Sequence, residues 1–160
     1  MEPIRVARGS GRGPTGMASF DAALADANLA NYNLVTVSSV VPADATVERV
    51  ETAPDLGPTG NGLYCVLARE TRAPGADEPA CAGLGWARTP SGRGLFYEET
   101  GTDPDAVRGA VTAGLEYGLE LRGWEPAADP ETVVESRSAA AETYTTAVVV
   151  AAYGRSESLL

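Results

Sequence analysis

A long amphipathic helix is predicted at residues 103–122, and it requires an apolar surface elsewhere in the chain to pack against. Asp103 is typical of an N-cap, and Pro104 is typical of the first helical position. Apolar residues recur at helical spacing along one side: Val107, Val111, Leu115 and Leu119. Gly123 stands where a helix of this kind ends. The apolar side of such a helix is normally covered by a sheet or by a second helix.

Most of the remaining chain predicts β-strands, because β-branched and aromatic residues recur in short runs. These runs lie at residues 4–7, 33–41, 47–50, 62–68, 81–87, 94–99, 131–135 and 143–153. A second, alanine-rich helix is predicted at residues 19–27, with Ser19 as its N-cap and Asp21 in its first turn. The glycines of residues 9–16 predict a flexible loop before this helix.

Two helices among about seven or eight strands favour an α+β fold, in which each helix covers one face of a sheet. The expected arrangement is two layers of sheet with the helices outside. A chain of 160 residues has the length of a single domain, so we expect one domain over residues 1–160. Cys65 and Cys81 fall within predicted strands and are expected to be buried free thiols.

The composition excludes several classes of function. The 22 acidic and 12 basic residues give a net charge of −10, which disfavours binding to nucleic acid. No apolar run approaches the roughly 20 residues of a membrane span, and the N-terminus lacks the pattern of a secretory signal, so we expect a cytoplasmic protein. Histidine is absent, which excludes histidine-based triads and most transition-metal sites, and no metal is expected.

The basic residues point to an unusual host. All twelve are arginine, and Ile4 is the one isoleucine. A GC-rich genome depletes lysine and isoleucine codons, but it does not require an excess of acid. An acidic, hydrated surface suited to a salt-rich cytoplasm accounts for that excess. We therefore expect a halophilic protein, with an ordinary acidic mesophilic protein as the alternative.

The glycines at positions 11, 13 and 16 match a dinucleotide-binding motif, and they lie between a predicted strand and a predicted helix. No acidic residue follows at residues 33–36, where the ribose would be bound. The segment also lacks the lysine of a phosphate-binding loop. Nucleotide binding therefore stays open as an alternative on this motif alone.

Two adjacent serines, Ser38 and Ser39, interrupt the β-branched run of residues 33–41. On its own such a pair is typical of a strand edge or of the entry to a turn. Its surroundings are more specific. Five segments, in order along nearly the whole chain, resemble pyruvoyl-dependent arginine decarboxylases: SFDAAL at 19–24, NYNLV at 31–35, VSSVVP at 37–42, GLFYE at 94–98 and LRGWE at 121–125.

The resemblance implies a four-layer αββα sandwich, as in pyruvoyl-dependent histidine and arginine decarboxylases. It implies a homo-oligomer, a trimer of αβ units with active sites between neighbouring subunits. Self-cleavage between Ser38 and Ser39 would give a β chain of residues 1–38 and an α chain of residues 39–160. In the family the second serine attacks the preceding carbonyl and becomes the pyruvoyl group. Asn33 matches the family's processing asparagine, whose amide would stabilise the oxyanion.

The implied reaction is the decarboxylation of L-arginine to agmatine and CO2. The pyruvoyl group supplies the electron sink, in a chain that has no lysine to anchor pyridoxal phosphate. Glu98 matches the family's proton donor. Phe96 lies on the same face of the strand, so Glu98 is expected to be partly buried, whereas Glu99 is expected to be solvated.

The resemblance also assigns the substrate pocket. Asp21 matches the aspartate that binds the guanidinium of the substrate. Leu24, Tyr32 and Val40 match positions that line the pocket, and the aromatic ring of Tyr32 alters its shape. Two alternatives remain open: a pyruvoyl decarboxylase for another amino acid, and an unprocessed oligomer that binds a small cationic metabolite.

Overall fold

The computed structural model describes residues 1–160 as two helices and nine strands. In chain order these are β1 (Ile4–Gly13), α1 (Gly16–Asp26), β2 (Asn33–Thr36), β3 (Val40–Val41), β4 (Val47–Arg49), β5 (Gly62–Arg72), β6 (Ala80–Arg88), β7 (Gly94–Gly101), α2 (Pro104–Arg122), β8 (Glu131–Arg137) and β9 (Tyr144–Tyr153). Neither helix combines the length and the hydropathy needed to cross a lipid bilayer.

The strands form two sheets that pack face to face. The larger sheet has the strand order β2-β5-β9-β1-β4, and the smaller sheet has the order β3-β7-β6-β8. One apolar core lies between the sheets, a second lies between α1 and the larger sheet, and a third lies between α2 and the smaller sheet. The layers therefore run helix, sheet, sheet, helix, and the predicted αββα sandwich is confirmed.

The helix predicted at residues 103–122 is present as α2. The Asp103 side chain accepts hydrogen bonds from the backbone N–H groups of Asp105 and Ala106, which caps the first turn. Gly123 ends the helix in the left-handed conformation, with φ of 65°. The four apolar residues that predicted this helix are all buried against the smaller sheet. Both ends and the packing face thus follow from local sequence chemistry.

Most of the glycine-rich segment is not a loop, which corrects the prediction for residues 9–16. Residues 9–13 form the second half of β1, paired with β9 as far as Gly13 opposite Tyr144, and only Pro14 and Thr15 connect β1 to α1. Gly9, Gly11 and Gly13 lie directly beneath α1, where a side chain would collide with the helix. Glycine is present here because the helix approaches the strand closely. Since these residues are paired strand, the loop on which nucleotide binding depended does not exist.

We expect Gly11→Ala to lower the free energy of unfolding by about 1–3 kcal/mol, because overpacking forces the helix away from the strand. The added Cβ would lie 2.6 Å from the Cβ and the backbone carbon of Ala22. Gly109→Ala is the matched control, since nothing lies within 4 Å of its Cβ position on α2. It should raise stability by about 1 kcal/mol through helix propensity. Urea denaturation measures both, and equal stabilities would contradict close packing of β1 under α1.

Helix α1 begins earlier than predicted. Thr15, not Ser19, is its N-cap and accepts a hydrogen bond from the Ala18 N–H at 3.0 Å. Ser19 lies inside the helix, where its buried hydroxyl is 2.6 Å from the Thr146 hydroxyl on β9. The contact with Thr146 therefore replaces the predicted capping role of Ser19. Because the helix begins at Gly16, Asp21 lies beyond its first turn, and the Asp21 side chain is exposed.

Residues 33–41, predicted as one strand, divide between the two sheets. Strand β2 runs parallel to β5 in the larger sheet, and β3 runs antiparallel to β7 in the smaller sheet. Residues 37–39 cross from one sheet to the other. The Val37 N–H donates to the Cys65 carbonyl in the larger sheet, whereas the Ser39 carbonyl accepts from the Phe96 N–H in the smaller sheet. This crossing places the two serines in irregular backbone.

The remaining predicted strands are present, and several are longer than predicted. Cys65 and Cys81 are both buried and free, as predicted. Burial raises the pKa of the Cys65 thiol to about 11, which keeps it protonated and unreactive. The Cys65 thiol therefore does not offer a nucleophile.

Candidate active site

A cavity of about 350 Å³ opens at the point where the chain crosses between the sheets. Residues 38–40 form one wall, residues 95–98 of β7 form another, and Arg122 closes it at the end of α2. Three of the predicted site residues, Ser39, Val40 and Glu98, therefore share one cavity with the predicted cleavage partner Ser38. Ser39 and Glu98 are far apart in the sequence, and the pairing of β3 with β7 brings them together.

Ser39 is the best-positioned nucleophile in this cavity. Its half-buried hydroxyl donates a hydrogen bond to Oε2 of Glu98 at 3.1 Å. Its carbonyl oxygen accepts from the Phe96 N–H at 2.8 Å. The carbonyl of Ser38 accepts from the Val40 N–H, also at 2.8 Å. The carbonyl of the Ser38–Ser39 peptide and the carbonyl of the next peptide are thus both held by backbone donors.

Glu98 departs from the predicted environment. Phe96 is 1% exposed and packs in the core between the sheets, but Glu98 on the same face is exposed and Glu99 is half-buried. The reason lies in the length of β3, which pairs only with Gly94 and Leu95. Glu98 lies beyond this covered part of β7, at the open side of the cavity. The partial burial predicted for Glu98 is therefore wrong for the isolated chain.

Asn33 does not reach the serine pair. It begins β2, and its side-chain amide donates to the Gly60 carbonyl at 2.7 Å. The parallel pairing of β2 with β5 places Asn33 opposite Gly62 and directs its amide to the neighbouring loop. The predicted hydrogen bond from Asn33 to the cleavage site is absent in this conformation.

Two of the other predicted substrate residues line a second cavity of about 470 Å³. Leu24, Tyr32 and Asn33 line it, on the α1 side of the larger sheet. The Tyr32 hydroxyl accepts from the Leu56 N–H at 2.9 Å, which fixes the ring. Asp21 is exposed on α1, between Phe20 and Leu24. One chain therefore carries the predicted site as two separate halves.

Sequence reasoning missed Arg122 as a cavity residue. Its guanidinium donates to the Gly118 carbonyl at 2.9 Å and lies 5.7 Å from the centre of the Trp124 ring. The segment at residues 121–125 contributed to the resemblance, but it suggested no role for this side chain.

Tyr153 was also missed. It is the last residue of β9, and its hydroxyl donates to the Val40 carbonyl at 2.8 Å. Its ring packs edge-on against Phe96, with the ring centres 6.0 Å apart. Burial, together with the nearby charge of Glu98, raises the pKa of Tyr153 to about 12. No pattern in the sequence connects a tyrosine at the end of β9 with residue 40.

The arrangement suits two kinds of chemistry. A serine hydroxyl stands beside the peptide carbonyl that precedes it, with a carboxylate in hydrogen-bond contact, as an internal acyl shift requires. The carboxyl group of Glu98 also faces a cavity with an apolar wall at Phe96, where it can exchange a proton with a bound molecule.

Comparison with known proteins gives a consistent result. A family model described as pyruvoyl-dependent arginine decarboxylase (PvlArgDC) matches residues 3–158. A protein of Halobacterium salinarum named pyruvoyl-dependent arginine decarboxylase is 52% identical over 159 residues, covering 98% of this chain and 97% of the relative. Proteins of the same name from Thermococcus sibiricus and Thermococcus kodakarensis are 36% and 34% identical, over 82% and 85% of this chain. The matched range contains both cavities.

Proposed function

The chain belongs to the pyruvoyl-dependent arginine decarboxylase family, and on that premise we propose that it converts L-arginine to agmatine and CO2 on a pyruvoyl group made from Ser39. One observation carries the assignment to residues. The Ser39 hydroxyl lies in the cavity, bonded to Glu98, at an irregular crossing between the two sheets. When present, the pyruvoyl group supplies a carbonyl that takes the substrate amine and accepts the electrons of the broken Cα–carboxyl bond.

The residues present fit such a group. It would occupy the position of Ser39, which is half-buried beside the cavity and whose carbonyl is fixed by the Phe96 N–H. The chain has no lysine that could hold pyridoxal phosphate instead. A cofactor made from the chain itself therefore matches both the geometry and the composition.

Self-cleavage begins with attack by Oγ of Ser39 on the carbonyl carbon of Ser38. The new C–O bond forms as the C–N bond breaks, which converts the peptide into an ester. Loss of the proton on Cα of Ser39 then releases the Ser38 carboxylate and leaves dehydroalanine at position 39. Uptake of one water and loss of ammonia give the keto group. The products are a β chain of residues 1–38 and an α chain of residues 39–160.

The neighbouring side chains have separate tasks in this proposal. Glu98 accepts the hydrogen bond of the Ser39 hydroxyl before cleavage. Afterwards it delivers the proton that replaces the lost carboxylate at Cα of the substrate. Phe96 forms an apolar wall, which disfavours a solvated carboxylate and favours neutral CO2.

We also propose a trimer, in which the second cavity of one subunit faces the first cavity of its neighbour. Leu24 and Tyr32 line a different cavity from Ser39, and Asp21 lies on α1 beside that second cavity, so in this proposal they act on Ser39 of a neighbouring chain. An uncovered apolar edge supports assembly as well. Val35 and Tyr64 are neighbours on β2 and β5, and they are 39% and 46% exposed.

Intact mass under denaturing conditions tests the function directly. We expect fragments 1–38 and 39–160, with the second fragment labelled by a carbonyl reagent, and agmatine formed from arginine. A chain that remains whole at 16.5 kDa would instead match the unprocessed metabolite-binding oligomer. Turnover of another amino acid in preference to arginine would overturn the substrate assignment.

Asp21→Asn should raise the KM for arginine by roughly 10–100-fold, because a charge-assisted hydrogen bond to the guanidinium is lost. Self-cleavage should be unchanged. Asp77→Asn is the control, since it removes the same charge from an exposed loop before β6. Co-expression of Asp21→Asn with Ser39→Ala should restore low-KM activity, because neighbouring subunits then supply both intact halves. An unchanged KM in the single variant would contradict the guanidinium role.

A further inference from the structure

We propose that Tyr153 is a positioning residue for self-cleavage, because its hydroxyl holds Val40 so that the Val40 N–H points at the carbonyl oxygen of Ser38. The inference rests on the proposed cleavage between Ser38 and Ser39. It assigns the stabilisation of the oxyanion to a backbone group and the support of that group to a side chain from the other sheet.

The serine pair is folded into a tight turn. The Val40 N–H donates to the Ser38 carbonyl two residues earlier, at 2.8 Å. Asn28 is the one non-glycine residue with positive φ, so Ser39 has the negative φ of an inverse γ-turn. Few hydrogen bonds span so short a stretch of chain, and here the acceptor is the carbonyl that the nucleophile attacks.

This hydrogen bond lies where charge develops. As Oγ of Ser39 adds to the Ser38 carbonyl, the carbonyl oxygen becomes an oxyanion, and a donor already aimed at it lowers the barrier. Val40 provides such a donor within the chain. The amide of Asn33 is bonded to Gly60 instead.

Two contacts hold the turn from outside. On one side the Phe96 N–H donates to the Ser39 carbonyl, which ties the turn to the smaller sheet. On the other side the Tyr153 hydroxyl donates to the Val40 carbonyl, which ties it to the larger sheet. Strand β3 is only two residues long and Val40 is 43% exposed, so packing contributes little to its position.

Tyr153 is suited to this task. Its ring is fixed against Phe96, and its backbone is paired with Ile4 in the larger sheet. Its hydroxyl is protonated at neutral pH, as in any tyrosine, and burial raises its pKa further, to about 12.

The test uses Tyr153→Phe, which removes the hydroxyl and keeps the ring against Phe96. We expect the full-length chain, followed by denaturing electrophoresis after cell-free synthesis, to be cleaved roughly tenfold more slowly than wild type. Tyr117→Phe is the matched control, because Tyr117 is 63% exposed on α2 and its cleavage should match wild type. Tyr153→p-aminophenylalanine restores a donor at the same place and should restore the rate.

Hydroxylamine identifies which step of self-cleavage is slowed. It cleaves the ester intermediate, so little ester should be trapped in Tyr153→Phe if the acyl shift is the slowed step. Accumulated ester, wild-type cleavage in Tyr153→Phe, or failure of the amino variant to recover would each overturn the inference. Absence of cleavage in wild type would instead overturn the proposed function. Thermal unfolding in a Ser39→Ala background shows whether the Tyr153 variants are folded.

Discussion

Ser39→Ala should yield an uncut chain of 16.5 kDa that does not decarboxylate arginine. Without Oγ at position 39 there is no nucleophile to attack the Ser38 carbonyl, so the β and α chains are never formed. The chain also contains no lysine that could hold pyridoxal phosphate as a replacement electron sink. The loss should therefore approach the entire rate enhancement, at least about a million-fold.

Mass spectrometry and an agmatine assay on the same sample measure both losses. Ser38→Ala is the matched control: it removes a hydroxyl from the adjacent residue and keeps the nucleophile, so it should still be cut and active. Cleavage of Ser39→Ala at the same bond would mean that another group attacks the carbonyl.

Glu98→Gln should separate the two stages of chemistry. Glutamine retains a side-chain oxygen that can accept the hydrogen bond of the Ser39 hydroxyl, so the chain should still be cut and should still react with a carbonyl reagent. An amide cannot act as a general acid, however. We expect kcat to fall by about 10²–10⁴-fold, with a smaller change in KM.

The control for this variant is its neighbour. Glu99→Gln makes the same change on the opposite face of β7, away from the cavity, and kcat should stay within about twofold of wild type. Steady-state kinetics on fully cut protein measure both. A cut Glu98→Gln enzyme with wild-type kcat would show that the proton comes from elsewhere.

Local chemistry explains which elements could be predicted from the sequence. Helix α2 has its cap, its proline and its terminal glycine within the segment itself, so nothing distant was needed to locate its ends. Glycine in β1 could not be interpreted in the same way. A sequence does not distinguish a glycine that gives a loop its flexibility from a glycine that leaves room for a helix. At Gly11 an added Cβ would lie only 2.6 Å from atoms of α1.

The site follows the same division. Ser39 and Glu98 could be named from the resemblance, and the pairing of β3 with β7 brings them to 3.1 Å. Tyr153 could not be named from the sequence. It is one of six tyrosines, and its hydroxyl contacts a residue that is 113 positions away in the chain. The exposure of Glu98 was missed because it depends on where β3 stops, which no local pattern of residues determines.

The crossing between the sheets has a further effect on the mature molecule. The proposed cut would separate β1, α1 and β2 covalently from the rest of the chain, whereas β1 is paired with β9 along its whole length and would hold the two pieces together. Denaturation then becomes a dissociation of two polymers, and its midpoint depends on protein concentration. Renaturation of the cut protein would require the 38-residue and 122-residue pieces to associate again, so we expect efficient folding only from the uncut chain.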